Sequence, residues 1–333
     1  MRAMRRMAAL MILGFSLLQM QDMPRAASVP EAGRTEGQVE SQAERREHPE
    51  EAPREAGAED GAYGPEGPVS DLANGFEAPD SGSVSEEIFL DPAWDYAGFS
   101  AIHTGAAVLT HAEISPRGIT VCVNAGHGTE GGSLVKTLCH PDGSPKVTGG
   151  STGEGAIEAA AVSTGTVLLS GVSEAEANLS VALVLKRKLL DAGFDVLMIR
   201  EGGDVQLDNI ARTVIANNRA DCHIAIHFDS TESDKGAYFM GVPEEASYRM
   251  MEPVASSWEK NEALGQALME GLKESGVPIF ESGRLAMDLT QTSYSQVPSV
   301  DIELGDRASE ISEEMCERYA GGLLLGLENY FGN

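Results

Sequence analysis

The stretch Ile119–Gly132 reads ITVCVNAGHGTEGG. Its first half, Ile119 to Val123, is β-branched and apolar, the composition of a buried strand. The run then stops at Asn124, Ala125, Gly126, His127 and Gly128. Glycine on both sides of the imidazole permits a sharp turn and a close backbone approach. A single histidine in that setting reads as a metal ligand, a catalytic base or a turn residue, and only its neighbours in space choose among them.

Outward from that strand the pattern alternates. EAEANLSVALVLKRKLLDA (Glu174–Ala192) predicts a helix with Leu179, Ala182, Leu183, Leu189 and Leu190 available to a buried face. FDVLMIR after Gly193 predicts a second strand, LDNIARTVIANN (Leu207–Asn218) an amphipathic helix, and HIAIHF (His223–Phe228) a third strand. A helix is expected over about Asn261–Ser275, then a strand in SVDIELG (Ser299–Gly305) and a closing helix in ERYAGGLLLGLENYF. Strands alternating with helices predict an α/β fold, a mostly parallel or mixed central sheet with helices on both faces, as one domain over residues 119–333. Residues 86–118, SEEIFLDPAWDYAGF onward, read as an extended or irregular lead-in.

The first quarter of the 333 residues does not read as a fold. Arg2, Arg5 and Arg6 precede the apolar run MAALMILGFSLLQM, the pattern of a secretory signal within residues 1–30. The run is short for a spanning helix, which needs ~20 apolar residues, so membrane anchoring would pass only through this segment. Residues 31–85 are rich in Glu, Ala, Gly, Pro and Ser and predict a disordered acidic linker. A net charge of −28 with no basic patch argues against nucleic acid as a partner, and against simple electrostatic binding to anionic wall polymers. Cys122, Cys139, Cys222 and Cys316 form no CxxC pair, so a cysteine zinc site is not expected and no disulfide pairing is selected.

In doubly wound sheets, ligands bind beyond the carboxyl ends of the strands. His127, His227 and Glu303 each stand at such an end, on three different strands. A catalytic zinc takes three protein ligands and keeps one open position. Two histidines leave one ligand to find, and Glu154, Glu158, Glu174 and Glu176 are the acidic candidates.

With GHG at Gly126–Gly128, Glu174 ahead of Asn178-Leu179, FDVLMIR, LDNIARTVIANNRAD, AIHFDS at Ala225–Ser230 and DIELG at Asp301–Gly305, the chain resembles the zinc-dependent N-acetylmuramoyl-L-alanine amidases of the Amidase_3 type over roughly Ile119 to Tyr330. The resemblance implies His127, Glu174 and His227 as ligands of Zn2+, with Glu174 chosen over Glu176 by its place four residues before Asn178. It implies Glu303 as the catalytic glutamate and peptidoglycan as the substrate. The bond cut would be the amide between the muramic lactyl group and L-alanine, by an exported or cell-wall-associated enzyme. A zinc peptidase cutting within the stem, and a wall-binding or regulatory homologue without catalysis, are the alternatives. No regulatory partner is identified.

The chain departs from the family's common form at Asn124, where Asp often stands, and at Ala125, Ala225, Asp229 and Ser230. Asp229 is expected to accept a hydrogen bond either from a ligand imidazole or from substrate. The insertion between Gly131 and Gly171 is long for a βα loop and is expected to border the cleft. His140 within it reads as a surface loop histidine rather than an extra ligand. Arg200 and Arg212 are expected to pair with Asp204, Asp208 or Glu201, and Gln291, Thr292, Ser293 and Tyr294 are candidates for the groove wall.

Overall fold

The computed structural model describes residues 85–332, so the expected signal (1–30) and nearly all of the linker (31–85) lie outside the described residues. In chain order come β1 (Ser85–Phe89), β2 (Ala106–Thr110), β3 (Thr120–Ala125), β4 (Lys136–Leu138) and β5 (Glu158–Ala160). Then follow α1 (Glu174–Asp191), β6 (Asp195–Met198), α2 (Asn209–Arg219), β7 (Cys222–Asp229) and β8 (Ala237–Gly241). The remainder is α3 (Ala246–Arg249), α4 (Val254–Glu274), β9 (Ile279–Ala286), α5 (Thr290–Tyr294), β10 (Ser299–Asp306) and α6 (Glu313–Phe331).

Eight strands form one mixed sheet in the order β1-β2-β6-β3-β7-β10-β8-β9. The middle four, β6, β3, β7 and β10, run parallel, as their apolar runs predict. The lead-in supplies β1 and β2, which pair antiparallel onto β6 and belong to the same sheet. β8 enters antiparallel beside β10.

Side chains alternate between the two faces of a strand. Val121, Val123, Ile224, Ile226, Val300, Ile302 and Leu304 all point to one face, where they pack with α1, α4 and α6. Cys122, Leu197 and Ile199 point to the other, under Leu207, Ala211 and Ile215 at and within α2. The four cysteines are buried and unpaired; Cys122 and Cys222 sit on opposite faces of adjacent strands.

Local sequence fixes the helix ends. Ser173 caps α1 in a capping box with Glu176, and Asp208 caps α2 by accepting from the Ala211 amide at 2.8 Å. Of the residues expected on the buried face of α1, Leu179, Ala182 and Leu189 are buried, together with Ala177, Val181, Val184 and Leu185, and Leu183 and Leu190 are only partly covered. Helix α4 starts at Val254, seven residues before the expected Asn261, because Ser257 and Asn261 are themselves buried and break the apolar stripe that would reveal it. It crosses α6 at backbone contact: a Cβ on Gly271 would lie 2.3 Å from the Gly322 carbonyl oxygen.

The insertion is an ordered wall. β4 and β5 form its hairpin. Its first arm is held against the segment before α5 by a buried pair, Lys146 Nζ with the Asp288 side chain and carbonyl. The Val147 amide donates to the same carboxylate, and His140 Nε2 lies 3.4 Å from it. His140 is therefore not a surface histidine: it is 1% exposed, bonded to Ser144 and packed against the Tyr248 ring. Burial alone would raise the Asp288 carboxyl, but His140, Lys146 and the Val147 amide hold it below the ordinary aspartate range.

Removing one partner of a buried pair strands the other charge. Lys146→Met should lower stability by about 3–5 kcal/mol in urea unfolding. Because the Asp288 pKa is depressed on folding, its contribution is present above the unfolded value of about 3.9 and is lost as pH falls through the folded one. That acid-side loss should shrink in the variant. An unchanged unfolding midpoint would show that the pair does not hold the insertion.

Candidate metal centre

Strands β3, β7 and β10 deliver their last residues to one edge of the sheet, and α1 begins there. Glu303 on β10 lies in register with His227 on β7. Glu174, the first residue of α1, points into the same place and is 5% exposed. His127 Nε2 is 2.7 Å and His227 Nδ1 2.9 Å from Glu174 Oε1, and the two ring nitrogens are 3.1 Å apart. Among the described residues this is the one group of three or more His, Cys, Asp or Glu side chains arranged to hold a metal ion.

The protons are assigned by the surroundings. His127 Nδ1 donates to the Ser163 carbonyl at 2.8 Å, which leaves Nε2 with its lone pair facing the other two groups. Burial keeps the His127 imidazole neutral by lowering its pKa. Burial alone would raise Glu174, but the two imidazoles beside it, His127 and His227, hold it well below the usual carboxylate range. Burial would also lower His227, yet Glu174 pushes it up to about 9. A ring lone pair and an ionised carboxylate oxygen thus face each other at 2.7 Å. Two imidazoles and one carboxylate are the donor set of a catalytic zinc, and its binding would displace the proton that Glu174 holds on His227. Ligands at ~2.0–2.2 Å from a tetrahedral zinc stand about 3.3 Å apart, close to the triangle formed here.

The turn that carries His127 is built against its own preference. His127 has φ +62°, the left-handed region, followed by Gly128 at +69°. Three successive carbonyls there are held by two buried arginines. Arg200 donates to the Ala125 oxygen at 2.9 Å and the Gly126 oxygen at 3.0 Å, and Arg212 to the His127 oxygen at 2.6 Å. Asn178 adds a bond to the Gly126 carbonyl. Gly126 is required because any Cβ there would lie 2.1 Å from the His227 ring.

These contacts correct the pairing expected for Arg200 and Arg212. Neither makes an ion pair with Asp204, Asp208 or Glu201; both are spent on main-chain carbonyls, with Arg212 also reaching Asn124 Oδ1 at 3.0 Å. Burial lowers Arg212 to about 9, still charged at neutral pH. Asn124, the departure at the strand end, is therefore a neutral acceptor for that guanidinium.

The other candidates separate cleanly. Glu176 is committed to capping Ser173, and Glu154 and Glu158 are exposed on the insertion away from the histidines. Asp229 meets neither imidazole; it accepts from Tyr238 Oη at 2.8 Å and pairs with Lys235. Gln291, Thr292, Ser293 and Tyr294 are buried in α5. Glu303 Oε2 is sealed from solvent with no hydrogen-bond partner. Burial pushes its carboxyl up to about 8, with Glu174, Asp229 and Asp301 adding to the rise and His227 opposing it.

The contacts that sequence reading missed are main-chain ones. Besides Ser163, the Thr166 amide donates to Glu174 Oε2 at 2.9 Å and the Phe228 amide to Oε1 at 3.3 Å. Between Ser163 and Thr166, Gly165 (φ +78°) lies so close that a Cβ would sit 2.7 Å from the His127 ring and 2.9 Å from Glu174. A carbonyl and an amide leave no side-chain signature, and Gly165 was the only visible mark.

Among curated proteins none matches the chain. The chain is similar in fold to the N-acetylmuramyl-L-alanine amidase Ami1 from Mycobacterium smegmatis, at 18% identity and a TM-score of 0.52, covering 65% of this chain and 97% of that one. The apo form of Ami1 from Mycobacterium abscessus is alike at 19% identity and a TM-score of 0.52, covering 65% of this chain and 99% of that one. The family model described as N-acetylmuramoyl-L-alanine amidase matches residues 121–315, more than half of the chain and every residue of the site. The chain belongs to the N-acetylmuramoyl-L-alanine amidase family of the Amidase_3 type.

Proposed function

We propose that this protein is an exported zinc-dependent amidase that cleaves peptidoglycan between the muramoyl lactyl group and the L-alanine of the stem. The observation that carries the reading is the meeting of His127 Nε2, Glu174 Oε1 and His227 Nδ1 at the strand ends where Glu303 stands unpartnered. Export rests on the basic and apolar pattern of residues 1–30.

Zinc, when bound by His127, Glu174 and His227, supplies polarisation of the amide carbonyl and a nucleophile from water at neutral pH. The chain's own residues do the rest. Ser163 fixes the His127 tautomer, and the Thr166 and Phe228 amides orient the Glu174 carboxylate. Glu303 accepts the proton of the attacking water and returns it to the departing amine of L-alanine. With its carboxyl raised by burial to about 8, the protonated form that gives a proton is well populated near neutral pH, and the ionised form that takes one grows as pH rises towards 8.

Stem peptides released from purified sacculi should begin with L-alanine and leave intact muramoyl carboxyl ends, as read by mass spectrometry. New ends between amino acids, with the lactyl amide intact, would favour a stem peptidase and sink this reading. Glu303→Gln should lose ~10²–10⁴-fold in turnover while binding zinc as the wild type does. If it cleaves normally, the proton carrier is another group. Gly165→Ala should weaken zinc binding by about 10–100-fold, the usual cost of disturbing the groups that orient ligands, measured by competition with a chelating indicator. Wild-type affinity in that variant would mean that the insertion does not hold the ligands.

A further inference from the structure

Buried carboxylates in this fold are otherwise supplied with donors. Asp208 accepts from Ser100, Ala101, Ile102 and Ala211, and Asp288 from Lys146 and Val147. Asp306 accepts from Thr231, Ser233, Lys235 and Ala308. Among the described residues only two carboxylate oxygens are sealed without a partner, Glu303 Oε2 and Asp301 Oδ1. They belong to the same strand. Asp301 and Glu303 are also the only residues of β10 that are not fully buried, and both point to one face, two positions apart. Two residues of strand span about 7 Å.

No lysine or arginine pairs with Asp301, and the His227 imidazole that acts on it belongs to the metal centre. Lys235 is taken by Asp229, and Arg200 and Arg212 by the carbonyls of the His127 turn. Its partner in register on β7 is Ala225, and the flanking Val300 and Ile302 turn to the opposite face. Burial raises the Asp301 carboxyl to about 6, with His227 opposing, so it is largely ionised at neutral pH. A carboxylate kept recessed, ionised and partly open beside the proton-carrying glutamate is suited to a donor brought by the substrate.

We infer that Asp301 is a specificity-determining residue that accepts a hydrogen bond from the 2-acetamido N–H of the muramoyl sugar. The inference rests on the amidase reading and says which way the substrate lies across the site. On the peptide side of the scissile amide, the second stem residue is a γ-linked glutamate with a free α-carboxyl. That acid would be repelled by the ionised Asp301. On the sugar side there is no acid, and the acetamido N–H at C2 is separated from the scissile carbonyl by the short lactyl ether at C3. That donor falls within the span of about 7 Å set by the two strand positions. Contact with an ionised acceptor makes the hydrogen bond a strong one.

The test uses two synthetic muramoyl-L-alanyl-D-isoglutamines as competitors of sacculus digestion by the zinc-loaded protein. One carries the 2-acetamido group, and the other the 2-N-methylacetamido group, which keeps the carbonyl but has no N–H. The wild type should bind the first about 10- to 100-fold more tightly, the range expected for a lost hydrogen bond to a charged group. Asp301→Asn and Asp301→Ala, each checked for wild-type zinc content, should raise the KM for sacculi more than they lower kcat. Asp301→Ala should bind the two competitors within threefold of each other. Equal inhibition of the wild type by both compounds, inhibition by neither, or a preference that survives in Asp301→Ala would overturn the inference. Failure of the wild type to release stems from sacculi would instead overturn the amidase reading.

Discussion

Everything at this site depends on how three consecutive carbonyls at the end of β3 are satisfied. Ala125, Gly126 and His127 leave the sheet in a turn that has no strand partner for their oxygens, and two buried guanidiniums take them. A non-glycine residue in the left-handed region costs about 1–3 kcal/mol. A hydrogen bond from a charged donor contributes about 1.5–3 kcal/mol, so the Arg212 contact to the His127 carbonyl alone is of the size needed to offset the strain. Arg212, buried to 1% exposure, makes no ion pair and donates to Asn124, Thr129 and main-chain oxygens. The histidine is held in place by its backbone.

The second support comes from the insertion. Its two arms do different things: the Lys146–Asp288 pair ties the first to the segment before α5, and residues Ser163–Thr166 of the second touch His127 and Glu174 directly. The insertion is therefore more than a border of the cleft, since the tautomer of His127 is set by a carbonyl within it. Glu174 is gripped in the same way from two sides, by an amide of the insertion and by an amide of β7. Hydrogen bonds from neutral amides orient the carboxylate without competing for its charge.

Much of this was legible in the sequence because it follows from periodicity. The apolar runs of β3, β7 and β10 are those of strands buried on both faces, and three ionisable residues at their ends point to one edge whatever the loops do. Glu174 is separable from Glu176 once the capping box is seen, since Glu176 is the residue that closes back on Ser173. What stayed hidden shares one property: its chemistry is in the backbone or in long-range pairing. Ser163 acts through its carbonyl, Arg200 and Arg212 through carbonyls rather than the nearby acids, and Asp288 lies 142 residues from the lysine that neutralises it. The lead-in strands β1 and β2 were obscured because one is largely exposed and both sit at the margin of the sheet.

Register explains why the ionisable groups of the site and the core can share the same strands. On β7 and β10 the even-numbered residues Ile224, Ile226, Val300, Ile302 and Leu304 fill the face under α1, α4 and α6, and the odd-numbered His227, Asp301 and Glu303 take the other. A slip of one residue would drive Glu303 into that apolar layer and carry Ile302 to the site. Burying an unpaired carboxylate there costs several kcal/mol, so the packing of one face enforces the alignment of the other. The pairing of Glu303 with His227 is thus specified twice, once by the hydrogen-bond ladder and once by the aliphatic side chains that never touch the site. A substitution in the core that loosens this register would disturb the distance between Glu303 and the cluster of His127, Glu174 and His227 before it unfolded the protein.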